Sequence, residues 1–385
     1  MRRKKMNTTT PAWIIISLFA LNAMVRAQFA AQATITSMYD DNVNNNYLPI
    51  SDRVTEAALN LAHDWTSESS NAQIFYMGAI NYYSAITERT YHSHSMGATY
   101  SKLFDDDGKT LLNLGGTFGL RVGRDDYTFY DNNIISVYAN VKHTFTEQVV
   151  GKAGYSFRSV RFPELPDFNY AEHNGSVQAT FFLPTSTTII LETDIGTKIY
   201  STPNDDSTLS SASQGQGMGR RMLSASSPAV TQVAGIARVG QAVMDGTGLS
   251  VTASYQWNVQ KESRYLTSDY GTISDDEIFD DHYGYEGTQS SVMLTQLFPS
   301  NIHMNIIGAI QNRKYIDRPA YDAGDNIIAG AREDTRTVVT LQMKKKIETF
   351  GMVIGLSYDY ITNRSNDFFY DYTNNAFTAR ISYTY

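Results

Sequence analysis

Polar and apolar residues alternate with period two along most of this chain, and helical spacing is almost absent. In the clearest stretch, Leu249, Val251, Ala253, Tyr255, Trp257 and Val259 interleave with Ser250, Thr252, Ser254, Gln256, Asn258 and Gln260. Successive side chains of a strand point to opposite faces, so this segment has one apolar wall and one uncharged polar wall. Met352, Ile354, Leu356, Tyr358 and Tyr360 repeat the pattern, as do Leu112, Leu114, Gly116, Phe118, Leu120 and Val122.

A soluble sandwich also alternates, so three further features decide the class. The alternating segments run for about 10 to 15 residues, whereas strands of soluble sheets average about five or six. A tilted strand needs about 9–11 residues to cross the hydrocarbon of a bilayer. The connections alternate between brief turns and long polar loops. The turns fall near Ser67–Ser70, Asp105–Lys109, Glu147–Gln148, Thr185–Ser186, Asp245–Thr247, Pro299–Ser300 and Glu348–Thr349. The loops fall near Asp41–Ser51, Thr87–Tyr91, Asp125–Asn132, Pro163–Glu172, Thr202–Ser226, Lys261–Glu286, Asp317–Arg332 and Arg364–Tyr372. Finally, aromatics gather at strand ends (Tyr82-Tyr83, Tyr127 to Tyr130, Phe368 to Tyr370), which suits girdles at the two membrane interfaces. The fold these features predict is all-β: a transmembrane antiparallel up-and-down barrel of about sixteen strands with both termini periplasmic. Thr288–Phe298 and Asn71–Ile86 alternate poorly, which leaves fourteen strands as the alternative count.

Composition narrows the classes further. The 385 residues include no cysteine, so disulfides, thiolate metal sites and cysteine nucleophiles are excluded together. A formal net charge of −8 argues against nucleic acid as a partner, since phosphate binding needs clustered Lys and Arg. The 26 Tyr and 18 Phe are spread without a break in composition, consistent with one domain over residues 28–385. Residues 1–27 read as a signal peptide. Arg2, Arg3, Lys4 and Lys5 form the basic region, Trp13 to Ala23 the apolar region, and Val25-Arg26-Ala27 a small-residue cleavage site before Gln28.

The last segment places Phe377, Ala379, Ile381, Tyr383 and Tyr385 outward and Thr378, Arg380, Ser382 and Thr384 inward. This amphipathic strand ending on an aromatic residue resembles the C-terminal signal of bacterial outer-membrane β-barrels, which the barrel-assembly machinery recognises. Tyr39-Asp40-Asp41-Asn42-Val43 resembles the first-strand exit of several porin-like families. The resemblance is one of architecture and points to no single family. It implies an outer-membrane location, contact with lipid, and assembly through the C-terminal strand. A homo-oligomer or a larger membrane complex is compatible with it.

With apolar faces on lipid, the opposite faces line the lumen. The basic pore-lining candidates are Arg121, Lys142, Lys152, Arg158, Lys198, Arg238, Arg313, Arg336, Lys344, Lys346 and Arg380. The acidic ones are fewer: Glu56, Asp64, Glu192, Asp194 and Asp359. Such a wall either favours anionic solutes or is neutralised by ion pairs within the barrel. The acidity of the chain sits in its connections instead, as in Asp125-Asp126, Asp205-Asp206 and the Asp275–Asp281 segment. That last cluster lacks the glycine and terminal Glu of a calcium loop and reads as solvated. Asp105-Asp106-Asp107 reads as turn chemistry, and the Ser/Gly/Gln-rich stretch Ser207–Ser227 as an outer loop. His92 and His94 share one strand face without a third metal ligand, and no nucleophile–base constellation stands out, so neither a metal, a cofactor nor an enzyme is expected. The expected function is a porin-like channel for small hydrophilic solutes. A barrel anchoring a secretion, export or motility complex is the alternative, and an outer-membrane enzyme is the third class.

Overall fold

The computed structural model describes residues 29–105, 107–201, 222–224, 229–259, 264–266, 282–324 and 326–385. The signal-peptide reading, the Asp275–Asp281 cluster and most of Ser207–Ser227 fall outside the described residues.

The strands are β1 (Phe29–Asp40), β2 (Asp52–Thr66), β3 (Ser70–Tyr83), β4 (Tyr91–Leu103), β5 (Thr110–Val122) and β6 (Asn132–Thr146). They continue with β7 (Val149–Arg161), β8 (Tyr170–Leu183), β9 (Thr187–Tyr200), β10 (Met222–Ser224), β11 (Ala229–Met244) and β12 (Thr247–Asn258). The last are β13 (Arg264–Leu266), β14 (Tyr285–Phe298), β15 (Ile302–Tyr321), β16 (Ile327–Ile347), β17 (Met352–Ser365) and β18 (Tyr372–Thr384). All but β10 and β13, which pair with each other, form one closed antiparallel barrel in sequence order. The barrel therefore has sixteen strands; both poorly alternating segments belong to it, as β3 and β14. Pairing of β1 with β18, from Gln32↔Thr384 to Asp40↔Ala376, closes the ring. The described chain begins and ends at the end of the barrel that carries the short turns.

Those turns use residues that reach the left-handed backbone region. Gly246 adopts φ 76° in the turn between β11 and β12, where a side chain would strain the backbone. Asp105 shapes the turn after β4: its carboxylate accepts the Thr110 N–H at 3.1 Å and the Thr110 hydroxyl at 2.8 Å. The Thr110 N–H holds the Asp105 carboxyl below the usual carboxylate range.

The register assigns every strand residue to one of two faces. Val251 pairs with Val239 and Val292, and the same outward row continues through Ile189, Phe181 and Val149. This face is predominantly apolar. Exposed outward aromatics form two girdles: Phe29, Trp65, Phe104, Phe145, Phe298 and Tyr385 at the turn end, and Tyr39, Tyr82 and Trp257 toward the loop end. With all backbone donors and acceptors of the wall paired strand to strand, the barrel meets the condition for crossing hydrocarbon.

Two expectations need correction. Residues 317–332 are not a loop: β15 and β16 run on past the wall as a hairpin that turns only at 322–326. Asp322 tightens this turn by accepting the N–H groups of Gly324 and Asn326 at 2.8 and 2.9 Å. Outside the membrane a hairpin has no reason to alternate in hydrophobicity, so its polar sequence looks like a loop. Nor are Tyr127 to Tyr130 and Phe368 to Tyr370 girdle residues. They lie in 3-10 turns, Asp125–Tyr130 and Phe368–Tyr370, that bury Phe129, Tyr130 and Tyr370.

The two faces make opposite demands on a charge introduced midway along β12. Val251→Arg should lower unfolding free energy in liposomes by about 2–4 kcal/mol, whereas the adjacent inward Thr252→Arg should change it little; urea titrations of the two variants check the assignment.

Candidate functional site: the barrel lumen

Arg121, Lys142, Lys152, Arg158, Lys198, Arg238, Arg336, Lys344 and Arg380 all lie on the inner face by register, as do Arg313 and Lys346. Glu56, Asp64, Glu192, Asp194 and Asp359 share that face. The barrel distributes them around its whole circumference rather than collecting them at one point. Lys142, Lys152, Arg238, Lys344 and Arg380 are exposed although they point inward, so the lumen around them is open to water.

The acids and bases of this wall are not laddered together. Among the described residues, Arg121, Lys142, Lys152, Arg158, Arg238, Arg336, Lys344 and Arg380 make no ion pair. Arg238 Nε donates to the Thr252 hydroxyl at 3.1 Å and Arg380 Nε to the Thr36 hydroxyl at 3.2 Å. Three of the carboxylates are held by amides or a hydroxyl: Gln73 donates to Asp64 at 2.9 Å, Gln178 to Glu192 at 2.7 Å and Thr340 to Asp359 at 2.6 Å. Neutral partners leave the charge of each group unbalanced.

At the loop end, cations sit on tyrosine rings. Arg121 stacks 3.9 Å from the Tyr91 ring centroid and 5.7 Å from that of Tyr130. Lys198 lies 4.2 Å from Tyr170 and 5.2 Å from Tyr200. Arg89 covers Tyr83 at 4.9 Å while its Nη1 donates to the Val43 carbonyl at 2.9 Å, which fastens residues 41–51 to the mouth. Arg313 stands over Tyr285 at 4.9 Å. Arg332 lies 3.3 Å from Tyr370 and 4.1 Å from Tyr315, and Arg318 donates to the Tyr370 hydroxyl. A cation over an aromatic face gains roughly 0.5–2 kcal/mol, more as water is excluded. These stacks tie the loops to the inner wall.

The tightest of them is also an ion pair. Arg332 and Asp334 are 1% and 0% exposed by side chain, and Arg332 Nη2 donates to Asp334 Oδ2 at 2.5 Å. Nearby, Asp367 caps the Phe368–Tyr370 turn by accepting the Phe369 N–H at 3.0 Å. Burial pushes the Asp367 carboxyl above its ordinary range, against the pull of Arg332 and Arg318.

Arg89, Arg318, Arg332, Asp334 and their tyrosines were not among the sequence candidates. The signal was a tyrosine at the inward phase of a strand end, as at Tyr83, Tyr170, Tyr285 and Tyr315, close to an arginine or lysine. On the outer face, His92 Nδ1 and His94 Nε2 lie 3.0 Å apart, and the Tyr76 hydroxyl is 2.6 Å from His94 Nδ1. His143 also faces outward, with Nδ1 2.9 Å from the Thr110 hydroxyl.

A model of the family described as surface lipoprotein assembly modifier matches residues 238–385, less than half of the chain. Among solved structures, the chain is similar to OccK8 (OprE) of Pseudomonas aeruginosa at 11% identity and a TM-score of 0.49, covering 93% of this chain and 98% of that one. It is similar to OccAB4 of Acinetobacter baumannii at 9% identity and a TM-score of 0.49, with coverage of 93% and 98%. For the outer membrane protein OprD of Pseudomonas aeruginosa the values are 10%, 0.47, 93% and 94%. No curated protein matches the chain.

Removing one member of the buried pair leaves the other charged and dry. Arg332→Ala should cost about 3–5 kcal/mol and open the 366–371 connection to trypsin. Arg332→Met with Asp334→Leu should lose much less. Urea unfolding with limited proteolysis of the refolded barrel measures both.

Proposed function

We propose that this outer-membrane β-barrel is a channel for small hydrophilic solutes whose wall favours anions. The observation that carries the reading is the set of inner-face cations without carboxylate partners, from Lys142 and Lys152 through Arg238 to Lys344 and Arg380. Rings of Arg and Lys attract anions, and a low-dielectric wall focuses their field into the aqueous space. Sixteen strands also enclose more width than wall side chains can fill, which leaves room for water. Arg121, seated on the Tyr91 ring toward the mouth, carries the same potential toward the entrance. In this reading the short turns and both termini are periplasmic, the long connections are external, and the C-terminal strand is what the barrel-assembly machinery receives.

A second reading has one specific observation in its favour: the family match over residues 238–385. Those residues run from within β11 through β18 to the chain end. They would then belong to a barrel that handles a lipoprotein or anchors a larger complex rather than one that passes solutes. Co-purification from membranes separates the two readings, since a passive channel needs no stoichiometric partner.

For the channel, Arg238→Glu combined with Arg380→Glu reverses two exposed inner charges. In planar bilayers under a salt gradient, the unaltered protein should give stable conductance steps with an anion-leaning reversal potential, and the double variant should shift it toward cations. Unchanged reversal potentials would sink the anion reading.

A further inference from the structure

The lumen is not uniformly basic. On the loop side of its middle, beneath the turn His282–Gly284, a cavity of about 320 Å³ opens in the inner wall. That volume is at the small end of the range for ligand pockets. The cavity is built rather than incidental, because the turn above it is fastened by three amides. Gln232 and Gln256 each donate from Nε2 to the His282 carbonyl, at 2.8 and 3.0 Å, and Asn258 Nδ2 donates to the Tyr283 carbonyl at 2.5 Å. Tyr283 is 2% exposed and lies flat over Gly196, where any Cβ would run into its hydroxyl. The hydroxyl donates to Glu172 at 3.0 Å, which fixes the ring as part of the roof.

Four polar side chains of this cavity have no such employment. Asn174 of β8, Asp194 of β9, Ser254 of β12 and Gln289 of β14 line it, and none makes a side-chain hydrogen bond among the described residues. The carbonyl oxygen of Asn174 is fully buried without a partner. Other amides of the inner wall are engaged with carboxylates, as Gln73 is with Asp64 and Gln178 with Glu192. A buried acceptor left unpaired costs about 1–3 kcal/mol, which among these four applies to Asn174 Oδ1 alone; Asp194, Ser254 and Gln289 face the same space with their hydrogen-bonding capacity unused by the protein, and a ligand there can take it up.

We propose that this cavity is a binding site for a neutral polyhydroxylated solute, a mono- or disaccharide in size. Each sugar hydroxyl both donates and accepts; the Asn174 and Gln289 amides offer both roles, Ser254 does so with one hydroxyl, and Asp194 accepts from two neighbouring hydroxyls. Ala234 and Ile236 supply an apolar patch of the lining for the C–H side of a pyranose. No Lys or Arg lines the cavity, and Asp194 makes it unfavourable for anions. The wall around it thus favours one class of solute by charge, while this niche selects another by hydrogen bonding. The site stands whether or not the lumen conducts.

The test is saturation-transfer NMR on the detergent-solubilised full chain with glucose and maltose as probes, and choline and gluconate as charged comparators. Transfer to the sugars is expected, with little to choline or gluconate. Gln289→Ala and Asn174→Ala, which break no internal hydrogen bond, should each weaken sugar binding about three- to tenfold, the worth of one hydrogen bond, while Lys152→Ala leaves it unchanged. Absence of transfer to either sugar, transfer unaltered in both amide variants, or stronger transfer to choline would each overturn the proposal. Bilayer recordings on the same preparation keep the two readings apart: sugar binding without conductance counts against the channel alone, and conductance without sugar binding counts against this site alone.

Discussion

The structure depends on closure of its backbone hydrogen bonds. Hydrocarbon offers no partner for a free N–H or C=O, and an open sheet would expose a row of each along both edges. The pairing of β1 with β18 removes those edges, and Tyr385 N–H donating to the Ala31 carbonyl at 2.9 Å carries the seam to the last residue. Closure fixes the rest. Once Ile35 opposes Ile381, every residue around the ring is committed to the lipid face or the lumen face. A slip of one residue would turn a whole apolar row inward. The outer face of β12 and the inner position of Arg380 are consequences of the same register.

From that division follows the unequal treatment of charge. Outward positions of the spanning strands are mostly apolar, and most of the charges on those strands face the lumen. There Asp64, Glu192 and Asp359 accept from neutral amides and a hydroxyl, and the exposed bases stand apart from them. Toward the loop end a third arrangement takes over, in which Arg89, Arg121, Lys198 and Arg332 rest on tyrosine faces. An aromatic platform can hold a loop in place without cancelling the cation it holds. A carboxylate in the same position would bind more strongly and erase the potential. The buried ion pair of Arg332 with Asp334 sits where β15 and β16 leave the wall, beside the 366–371 connection.

The wall was legible in the sequence because two solvents write opposite rules onto alternate residues. Leu249 to Val259 reveals both the strand and its orientation, and the spacing of turns such as Asp245–Thr247 reveals how many strands there are. The mouth was harder to read for the same reason that the wall was easy. Tyr82 and Tyr83 are the same residue type at adjacent positions, yet one faces outward to a girdle and the other inward to Arg89. Composition cannot separate them; only the register does. Likewise the 317–332 segment reads as a loop because its strands have left the membrane, where pairing continues but alternation has no cause. The cavity under Tyr283 lay further still from the sequence, since Asn174, Asp194, Ser254 and Gln289 come from four strands and meet only through closure of the ring.

The central claim is that one closed wall separates a dry face from a wet, positively charged lumen. Because the chain contains no cysteine, single cysteines along β11 and β12 report this directly. The measurement is the rate at which each cysteine reacts with membrane-impermeant thiol reagents of opposite charge in proteoliposomes. Arg238→Cys, Thr252→Cys and Ser254→Cys should react, Val239→Cys, Val251→Cys and Ala253→Cys should not, and at Thr252→Cys, with Arg238 intact beside it, the anionic reagent should react faster than the cationic one. Labelling without a period of two would contradict the closed register, and a faster cationic reagent at that position would contradict the charge assigned to the lumen.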